Sequence, residues 1–199
     1  IILIAVSKNV DVPIIREVAN LGVTCFGESK VQEAEKKQAL LPDLSWHLIG
    51  HLQSNKVKKA VKIFDFIHSA DSIKILNLIS QEALNIGKKM PVLLEVNVSG
   101  EKSKYGFAID ETVDVVAKTN LLPGIVLSGL MTMAPYVDNP SEVRYVFRGL
   151  RDLFYKVKEK FPGLTGWQYL SMGMSNDFEV AVEEGANMVR IGSAIFKEM

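Results

Sequence analysis

The sequence has a single cysteine, Cys25, so no disulfide bond can form within the chain. Cys25 lies in the apolar stretch 23–26, where a buried thiol on a strand is a better interpretation than a nucleophile. A chain without disulfides suits a reducing compartment. We therefore expect a cytoplasmic protein.

Neither sign of charge is in excess, because 23 lysine and arginine residues balance 23 aspartate and glutamate residues. Binding to nucleic acid usually requires a basic excess, and no apolar run approaches the roughly 18 residues of a membrane span. The sequence therefore predicts neither a nucleic-acid partner nor a membrane association. A neutral surface is compatible with a monomer, which is the state we expect.

What the sequence does contain is a series of short apolar runs that alternate with amphipathic stretches, a pattern typical of repeated βα units and a parallel sheet. Eight strands are predicted at residues 1–6, 23–26, 46–49, 64–68, 91–98, 125–131, 168–170 and 188–191. Helices are predicted at 12–21, 30–39, 54–61, 72–86, 141–160 and 176–184, and from residue 193 onward.

Eight strands in alternation with helices is the count of a closed (β/α)8 barrel of the TIM type. An open doubly wound sheet is the alternative, but its glycine-rich turn after the first strand is missing. No linker interrupts the pattern, so we expect one α/β domain over residues 1–199. Because the first strand begins at the first residue, we also expect that an N-terminal helix is missing.

Functional groups of such barrels lie where the strands end in their carboxyl-terminal loops. Lys8 directly follows the first apolar strand, so its amine is predicted at the barrel mouth. Partial desolvation there lowers the pKa of a lysine and makes it nucleophilic enough to form a Schiff base. A solvated lysine at the start of a loop is the alternative that the spacing leaves open.

The loops after strands seven and eight form the usual phosphate site of these barrels. Here they read Ser171-Met-Gly-Met-Ser175 and Arg190-Ile-Gly-Ser193. Glycine allows the backbone to approach an anion, and serine hydroxyls can donate to it. Two ordinary glycine turns are the alternative, but their joint presence in the two expected loops favours a phosphate cradle.

Other polar residues are weaker candidates. His47 and His51 have no third ligand nearby, so we expect no metal site. Glu28 and Glu101 are candidate acid/base groups, although carboxylates in barrel loops more often form structural ion pairs. Met131, with the other methionines, favours packing, although its thioether could flank a flat ring.

These residues together resemble the YggS/PROSC family of pyridoxal phosphate homeostasis proteins. The matching stretches run almost from end to end: Ala5-Val-Ser-Lys8, Phe26-Gly-Glu28, Val31-Gln-Glu33, Trp46-His-Leu-Ile-Gly-His-Leu-Gln-Ser-Asn-Lys56, His68-Ser-Ala-Asp71, Val96-Asn-Val-Ser99, Lys102-Ser-Lys-Tyr-Gly106, Gly129-Leu-Met131, Leu170-Ser-Met-Gly-Met-Ser-Asn-Asp177 and Val189-Arg-Ile-Gly-Ser-Ala-Ile-Phe196. Several are long, which makes the resemblance specific.

The resemblance implies a barrel like the N-terminal domain of alanine racemase, with pyridoxal 5′-phosphate bound to Lys8 as a Schiff base. It also implies that Ser171, Gly192 and Ser193 hold the phosphate and that Arg190 faces the pyridine nitrogen. An arginine there keeps the nitrogen unprotonated, which weakens the ring as an electron sink and restrains carbanion chemistry.

The chain departs from the family pattern in three places. Ser29-Lys30 stands where the family usually has Asn-Tyr, so a cofactor contact expected at residue 29 would come from a shorter side chain. Lys197-Glu198-Met199 replaces the usual Gly-x-Arg ending. Members of the family commonly carry an N-terminal helix, which we expect this chain to lack.

The sequence predicts a cofactor carrier in vitamin B6 homeostasis rather than an enzyme with strong turnover. Proton transfer on both faces of an α-carbon needs a second acid/base group opposite the lysine, and no residues remain after the eighth unit for a domain that supplies one. Enzymes that depend on pyridoxal phosphate are the expected recipients. The alternatives are a fold-type III amino acid racemase or lyase, with Tyr105 and His51 as candidate acid/base groups, and a scaffold whose cofactor occupancy a partner senses.

Overall fold

The computed structural model describes residues 1–101 and 104–196. Its strands are β1 (Ile2–Val6), β2 (Cys25–Glu28), β3 (Ser45–Leu48), β4 (Phe66–Ala70), β5 (Met90–Glu95), β6 (Ile125–Met131), β7 (Tyr169–Met174) and β8 (Met188–Ile191). Its α-helices are α1 (Val12–Asn20), α2 (Val31–Leu40), α3 (Val57–Ile63), α4 (Ile73–Asn85), α5 (Ile109–Thr119), α6 (Arg144–Lys160), α7 (Phe178–Glu183) and α8 (Ser193–Phe196). Short 3-10 helices precede α3 at Ser54–Lys56 and α6 at Pro140–Val143.

The eight strands form a closed parallel barrel in the order of the chain, which confirms the predicted fold. β1 closes the ring by pairing with β8, with Ile4 opposite Arg190. Each strand is followed by a helix that covers the outside of the barrel, so the main hydrophobic core lies between strands and helices. Because every strand runs in the same direction, the carboxyl ends of all eight meet at one mouth.

The interior of the barrel has an apolar layer and a polar layer. Phe66, Leu93, Met131 and Met188 pack together in the apolar layer. Side chains on a strand alternate between its two faces, so residues two positions further on, among them His68, Glu95 and Arg190, also face inward and nearer the mouth. The barrel therefore encloses buried polar groups beneath the site expected at its mouth.

Two differences from the sequence-based expectations concern helices and strand ends. The alternation predicted eight helices, but no bounds were predicted for the one between β5 and β6. The structure has α5 there, and its start is stabilised because the Ala108 N–H donates to the Glu111 carboxylate at 3.0 Å. β7 was expected to end at residue 170, but it continues to Met174. Ser171 therefore belongs to a strand of the barrel wall.

None of the helices in residues 1–101 and 104–196 has the length and apolar character needed to cross a bilayer. The motif 102–106 lies partly, and residues 197–199 lie wholly, outside the described residues.

Candidate functional site

A pocket of about 290 Å³ opens between the loop after β1 and the start of α8. Three of the predicted site residues, Lys8, Gly192 and Ser193, line this pocket together. The apolar side chains of Val6 and Phe196 contribute to the same wall. The volume of the pocket is just below the roughly 300–1,000 Å³ typical of small-ligand sites. The amine and the glycine loop that the sequence placed at separate strand ends therefore share one cavity.

The backbone turns sharply as it leaves β1 at this pocket. Asn9 has a φ of 61°, in the left-handed region that asparagine tolerates better than most residues. The Val10 N–H donates to the Ser7 carbonyl at 3.0 Å and closes the turn. As a result Lys8 is exposed at the pocket edge, directly after the buried Ser7.

A buried ion pair holds the backbone immediately before Lys8. The Lys37 Nζ lies 2.5 Å from the Glu28 Oε1 and donates to the Ser7 carbonyl at 2.7 Å. The Ser7 hydroxyl also donates to the Glu28 carboxylate at 3.0 Å. Glu28 is therefore occupied in a structural ion pair. Lys37 was not singled out in the sequence, because its position on an amphipathic helix gives no sign that it is buried.

Backbone N–H groups at the start of α8 already bind an oxygen. The Ser175 hydroxyl oxygen accepts hydrogen bonds from the N–H groups of Gly192 and Ala194, at 3.2 and 3.4 Å. Added at Gly192, a Cβ would lie 3.3 Å from the Val6 Cβ, so a larger residue would crowd the pocket wall. These donors suit an anion. Ser175 lies in the predicted loop but was not among the predicted site residues.

Ser171 and Arg190 lie together, but inside the barrel. The Arg190 Nη1 donates to the Ser171 hydroxyl at 2.7 Å and to its carbonyl at 2.8 Å, while Nη2 donates to the Thr132 carbonyl at 2.9 Å. Ser171 is fully buried, and its hydroxyl also contacts the His68 Nδ1 at 2.9 Å. The polar contacts of Ser171 in this structure are therefore with Arg190 and His68.

Burial changes the protonation of this inner layer. Desolvation lowers the pKa of His47 to about 4 and that of His68 well below its usual value, so both imidazoles are neutral at pH 7. Desolvation also lowers the pKa of Arg190 to about 10, which still leaves the guanidinium charged. Desolvation and the nearby Asp71 raise the pKa of Glu95 to about 7, although Arg190 opposes the shift.

Two other predicted residues are not part of the pocket wall. Met131 is fully buried among the apolar residues of the barrel interior. Ser29 follows β2, is half-buried, and lies so close to Gly50 that a Cβ there would collide with the Ser29 backbone. The structure does not bring either side chain to the pocket beside Lys8.

A second polar group lies in the loops after β3, β4 and β5. The His51 ring stacks on the Tyr105 ring with centroids 4.0 Å apart and an interplanar angle of 13°. The His51 Nδ1 lies 2.7 Å from an Asp71 carboxylate oxygen. Both acid/base candidates named from the sequence are therefore in contact with each other. In residues 1–101 and 104–196, no three His, Cys, Asp or Glu side chains are placed to share a metal ion.

Known proteins resemble this chain along nearly its whole length. The family model described as alanine racemase, N-terminal domain, matches residues 3–199. The pyridoxal phosphate homeostasis protein of Aquifex aeolicus is 42% identical over 198 residues, which cover 98% of this chain and 86% of that protein.

Solved structures also resemble this chain over nearly its whole length. PipY of Synechococcus elongatus PCC7942 matches with TM-scores of 0.92 without PLP and 0.89 with PLP bound, at 38% and 37% identity. Each match covers 98% of this chain and 91% of PipY. An alanine racemase of Clostridium difficile matches with a TM-score of 0.81 at 17% identity, covering 98% of this chain and 54% of the racemase, and therefore shares the fold.

Proposed function

Because the chain belongs to the family of pyridoxal phosphate homeostasis proteins, built on the alanine racemase N-terminal fold, we propose that it binds pyridoxal 5′-phosphate as a Schiff base on Lys8 and serves vitamin B6 homeostasis. PipY, a relative of known structure, has been solved with PLP bound. The single observation that carries the proposal is that Lys8, Gly192 and Ser193 line one pocket. An amine and an anion site must share a cavity if one small phosphorylated aldehyde is to reach both.

Lys8 supplies the amine of the proposed site. The buried ion pair of Glu28 and Lys37 fixes the Ser7 carbonyl, so the chain leaves the barrel at a defined point while the Lys8 side chain stays accessible. Because Lys37 is paired with a carboxylate and donates to a carbonyl, its own amine is not available as a nucleophile. These contacts favour Lys8 as the residue that forms the bond.

The start of α8 supplies the anion site. The N–H groups of Gly192 and Ala194 converge on the Ser175 oxygen, and a phosphate oxygen would replace that oxygen as their acceptor. The Ser175 and Ser193 hydroxyls would then be free to donate to the phosphate. Ser171, which the resemblance places among the phosphate ligands, would need to exchange its contacts with Arg190 and His68 for such a role.

Arg190 supplies the charge that would face the pyridine nitrogen. Bound pyridoxal phosphate acts as an electron sink, and a cation beside its ring nitrogen weakens that property. Arg190 remains charged at neutral pH, because burial lowers its pKa only to about 10. This favours storage and transfer of the cofactor over fast amino acid chemistry. We propose a cytoplasmic monomer that passes the cofactor to enzymes that depend on it.

Absorption and borohydride reduction test the Schiff base. Purified protein mixed with pyridoxal phosphate should develop a visible band that borohydride removes, and mass spectrometry should then place the adduct on Lys8. Lys8→Ala should lack the band. It should also unfold at the same urea concentration as wild type, which shows that the variant is folded. Lys30→Ala, which removes another exposed lysine near the end of β2, is the matched control. An unchanged band in Lys8→Ala would overturn the assignment.

A second candidate function is amino acid racemisation, which the contact between His51, Tyr105 and Asp71 favours. A histidine hydrogen-bonded to a carboxylate is a suitable acid/base group. Optical rotation of L- or D-alanine, incubated with the loaded protein and compared with free pyridoxal phosphate, separates the two functions. Racemisation above the free-cofactor rate, abolished in His51→Ala, would favour the enzyme.

A further inference from the structure

A continuous chain of hydrogen bonds crosses the barrel interior from β8 to β3. The Arg190 Nη1 contacts the Ser171 Oγ at 2.7 Å, and the same oxygen contacts the His68 Nδ1 at 2.9 Å. The His68 Nε2 lies 2.9 Å from the His47 Nδ1, and the His47 Nε2 lies 3.2 Å from the Ser45 Oγ. The middle of this chain, Ser171, His68 and His47, is buried.

The chemistry of arginine fixes the direction of every hydrogen bond in this chain. A guanidinium can only donate, so the Ser171 oxygen accepts from Arg190. The Ser171 O–H must then donate to the His68 Nδ1, because Ser171 has no other acceptor among the described contacts and an unpaired buried hydroxyl is destabilising. With Nδ1 accepting, a neutral His68 carries its proton on Nε2.

The same reasoning continues along the chain. The His68 Nε2–H donates to the His47 Nδ1, so His47 also carries its proton on Nε2 and donates to the Ser45 hydroxyl oxygen. Reversing the direction would leave the Ser171 O–H without an acceptor. In each hydrogen bond of the chain the acceptor lone pair therefore belongs to the residue farther from Arg190 and is directed toward Arg190. The resulting dipoles stabilise the guanidinium charge in a desolvated site.

We propose that Ser171, His68 and His47 are positioning residues that fix the Arg190 guanidinium as a cation with its free N–H groups toward the ligand. This inference rests on the proposed function, because the ligand is pyridoxal 5′-phosphate. In the described contacts, the two Nη1 hydrogens bind Ser171 and one Nη2 hydrogen binds the Thr132 carbonyl. A guanidinium has five N–H groups, so one on Nη2 and the one on Nε are without a partner among these contacts. In the proposal, these two are the donors available to the ring nitrogen.

The packing around the histidines supports a fixed arrangement rather than a mobile one. The His47 ring stacks on Phe66 with centroids 5.4 Å apart and an interplanar angle of 9°. The His68 ring meets Phe66 edge-on at 5.1 Å. Rotation of either imidazole would break its contact with Phe66 and its hydrogen bonds together. The direction of the chain is therefore set by geometry and not by solvent exchange.

Two substitutions at His68 separate the positioning role from a general packing role. His68→Asn places an amide oxygen near the former Nδ1, so it still accepts from Ser171 and loses the contact with His47. His68→Gln places an amide nitrogen near the former Nε2, so it still donates to His47 and leaves the Ser171 O–H unpaired. Both variants remove the aromatic ring, so each is the other's control for packing.

Two quantities are measured for each variant: its affinity for pyridoxal 5′-phosphate, and the position of the visible band of the bound cofactor. The contact at stake is the charge-assisted hydrogen bond from Arg190 to the ring nitrogen, and such a bond contributes roughly tenfold or more to affinity. We expect His68→Gln to bind roughly tenfold more weakly than His68→Asn, and to shift the band relative to wild type. Equal affinities and identical bands in the two variants would overturn the proposal.

Nitrogen-15 NMR of the wild-type protein tests the direction of the chain without any cofactor and without a variant that must fold. Both imidazoles should be neutral with the proton on Nε2. A proton on Nδ1 of His68 would overturn the proposal. If the wild-type protein does not bind pyridoxal phosphate, the proposed function fails. The NMR result decides separately whether each hydrogen bond in the chain is donated in the direction away from Arg190.

Discussion

Replacing Glu95 by glutamine should stabilise the protein at neutral pH and leave its stability unchanged in mild acid. Glu95 is 4% exposed, and burial raises the pKa of its carboxyl from 4.5 to about 7. Between these pH values the folded chain holds a proton that the unfolded chain has released. The stability that Glu95 contributes is therefore complete below pH 4.5 and is lost as the pH rises toward 7.

The size of the effect follows from the pKa. A displacement from 4.5 to about 7 corresponds to about 3 kcal/mol of unfolding free energy. Glutamine has the same shape and cannot ionise, so Glu95→Gln escapes this loss. Relative to wild type, its unfolding free energy should rise from no difference at pH 4.5 to about 3 kcal/mol above pH 7.5.

The titration of His47 opposes that of Glu95, so the contribution of Glu95 to stability is seen only when wild type and Glu95→Gln are compared. The pKa of His47 is lowered from 6.5 to about 4, so the unfolded chain binds more protons in that interval, and stability is lost as the pH falls. Glu95 and His47 therefore change wild-type stability in opposite directions over nearly the same pH range. His68, whose pKa burial also lowers, adds to the effect of His47, so wild-type stability should still fall below pH 6.5. The stability of Glu95→Gln should fall more steeply than that of wild type over the same range.

Urea unfolding of the cofactor-free proteins at intervals between pH 4.5 and 8 measures both curves. Glu17→Gln, on the exposed side of α1, is the control for loss of one carboxylate and should run parallel to wild type. A Glu95→Gln difference that is the same at pH 5 and pH 8 would refute the reasoning, as would a variant less stable than wild type at pH 8.

Two further predictions concern stability. Lys37→Met should lower the unfolding free energy by about 3–5 kcal/mol, because it leaves the buried Glu28 carboxylate unpaired. In urea unfolding, adding Glu28→Gln to this variant should recover part of the loss. Losses of the two substitutions that simply add would contradict the pairing. Gly129→Ala should cost at least about 3 kcal/mol, because Gly129 has a φ of 143° and a Cβ there would collide with the Tyr169 carbonyl. Gly22→Ala, with a φ of 100° and open space around it, should lose less on thermal unfolding, and equal losses would refute the steric explanation.

The apolar pattern was enough to predict the barrel. β6 and β8 begin and end where the sequence indicated, at Ile125–Met131 and Met188–Ile191. β4 and β7 were predicted too short at their carboxyl ends. The prediction ended with His68 in β4 and before Ser171 in β7, since an unpaired polar group inside a barrel is costly.

Those polar residues are paired after all, with partners that no local pattern reveals. His68 and Ser171 are 103 positions apart in the chain, yet their side chains share a hydrogen bond inside the barrel. His68 was predicted as the last residue of β4, and Ser171 was predicted just beyond the end of β7. Both polar side chains are acceptable inside the barrel because each has the other as a partner. The same reasoning applies to Lys37, whose burial depends on Glu28 and the Ser7 carbonyl.

The proposed site combines a fixed cation with an accessible amine, and the two arise from different layers of the barrel. Arg190 lies in the buried layer, where its guanidinium donates hydrogen bonds to the carbonyl oxygens of Ser171 and Thr132 and is held there. Lys8 is exposed at the mouth, and only its backbone is held, through the Ser7 carbonyl. An amine that must form and release a bond needs a fixed origin and a free end, whereas a charge that tunes a ring must not move. A barrel satisfies both requirements because its strand interiors are rigid and its carboxyl-terminal loops are not packed on both sides.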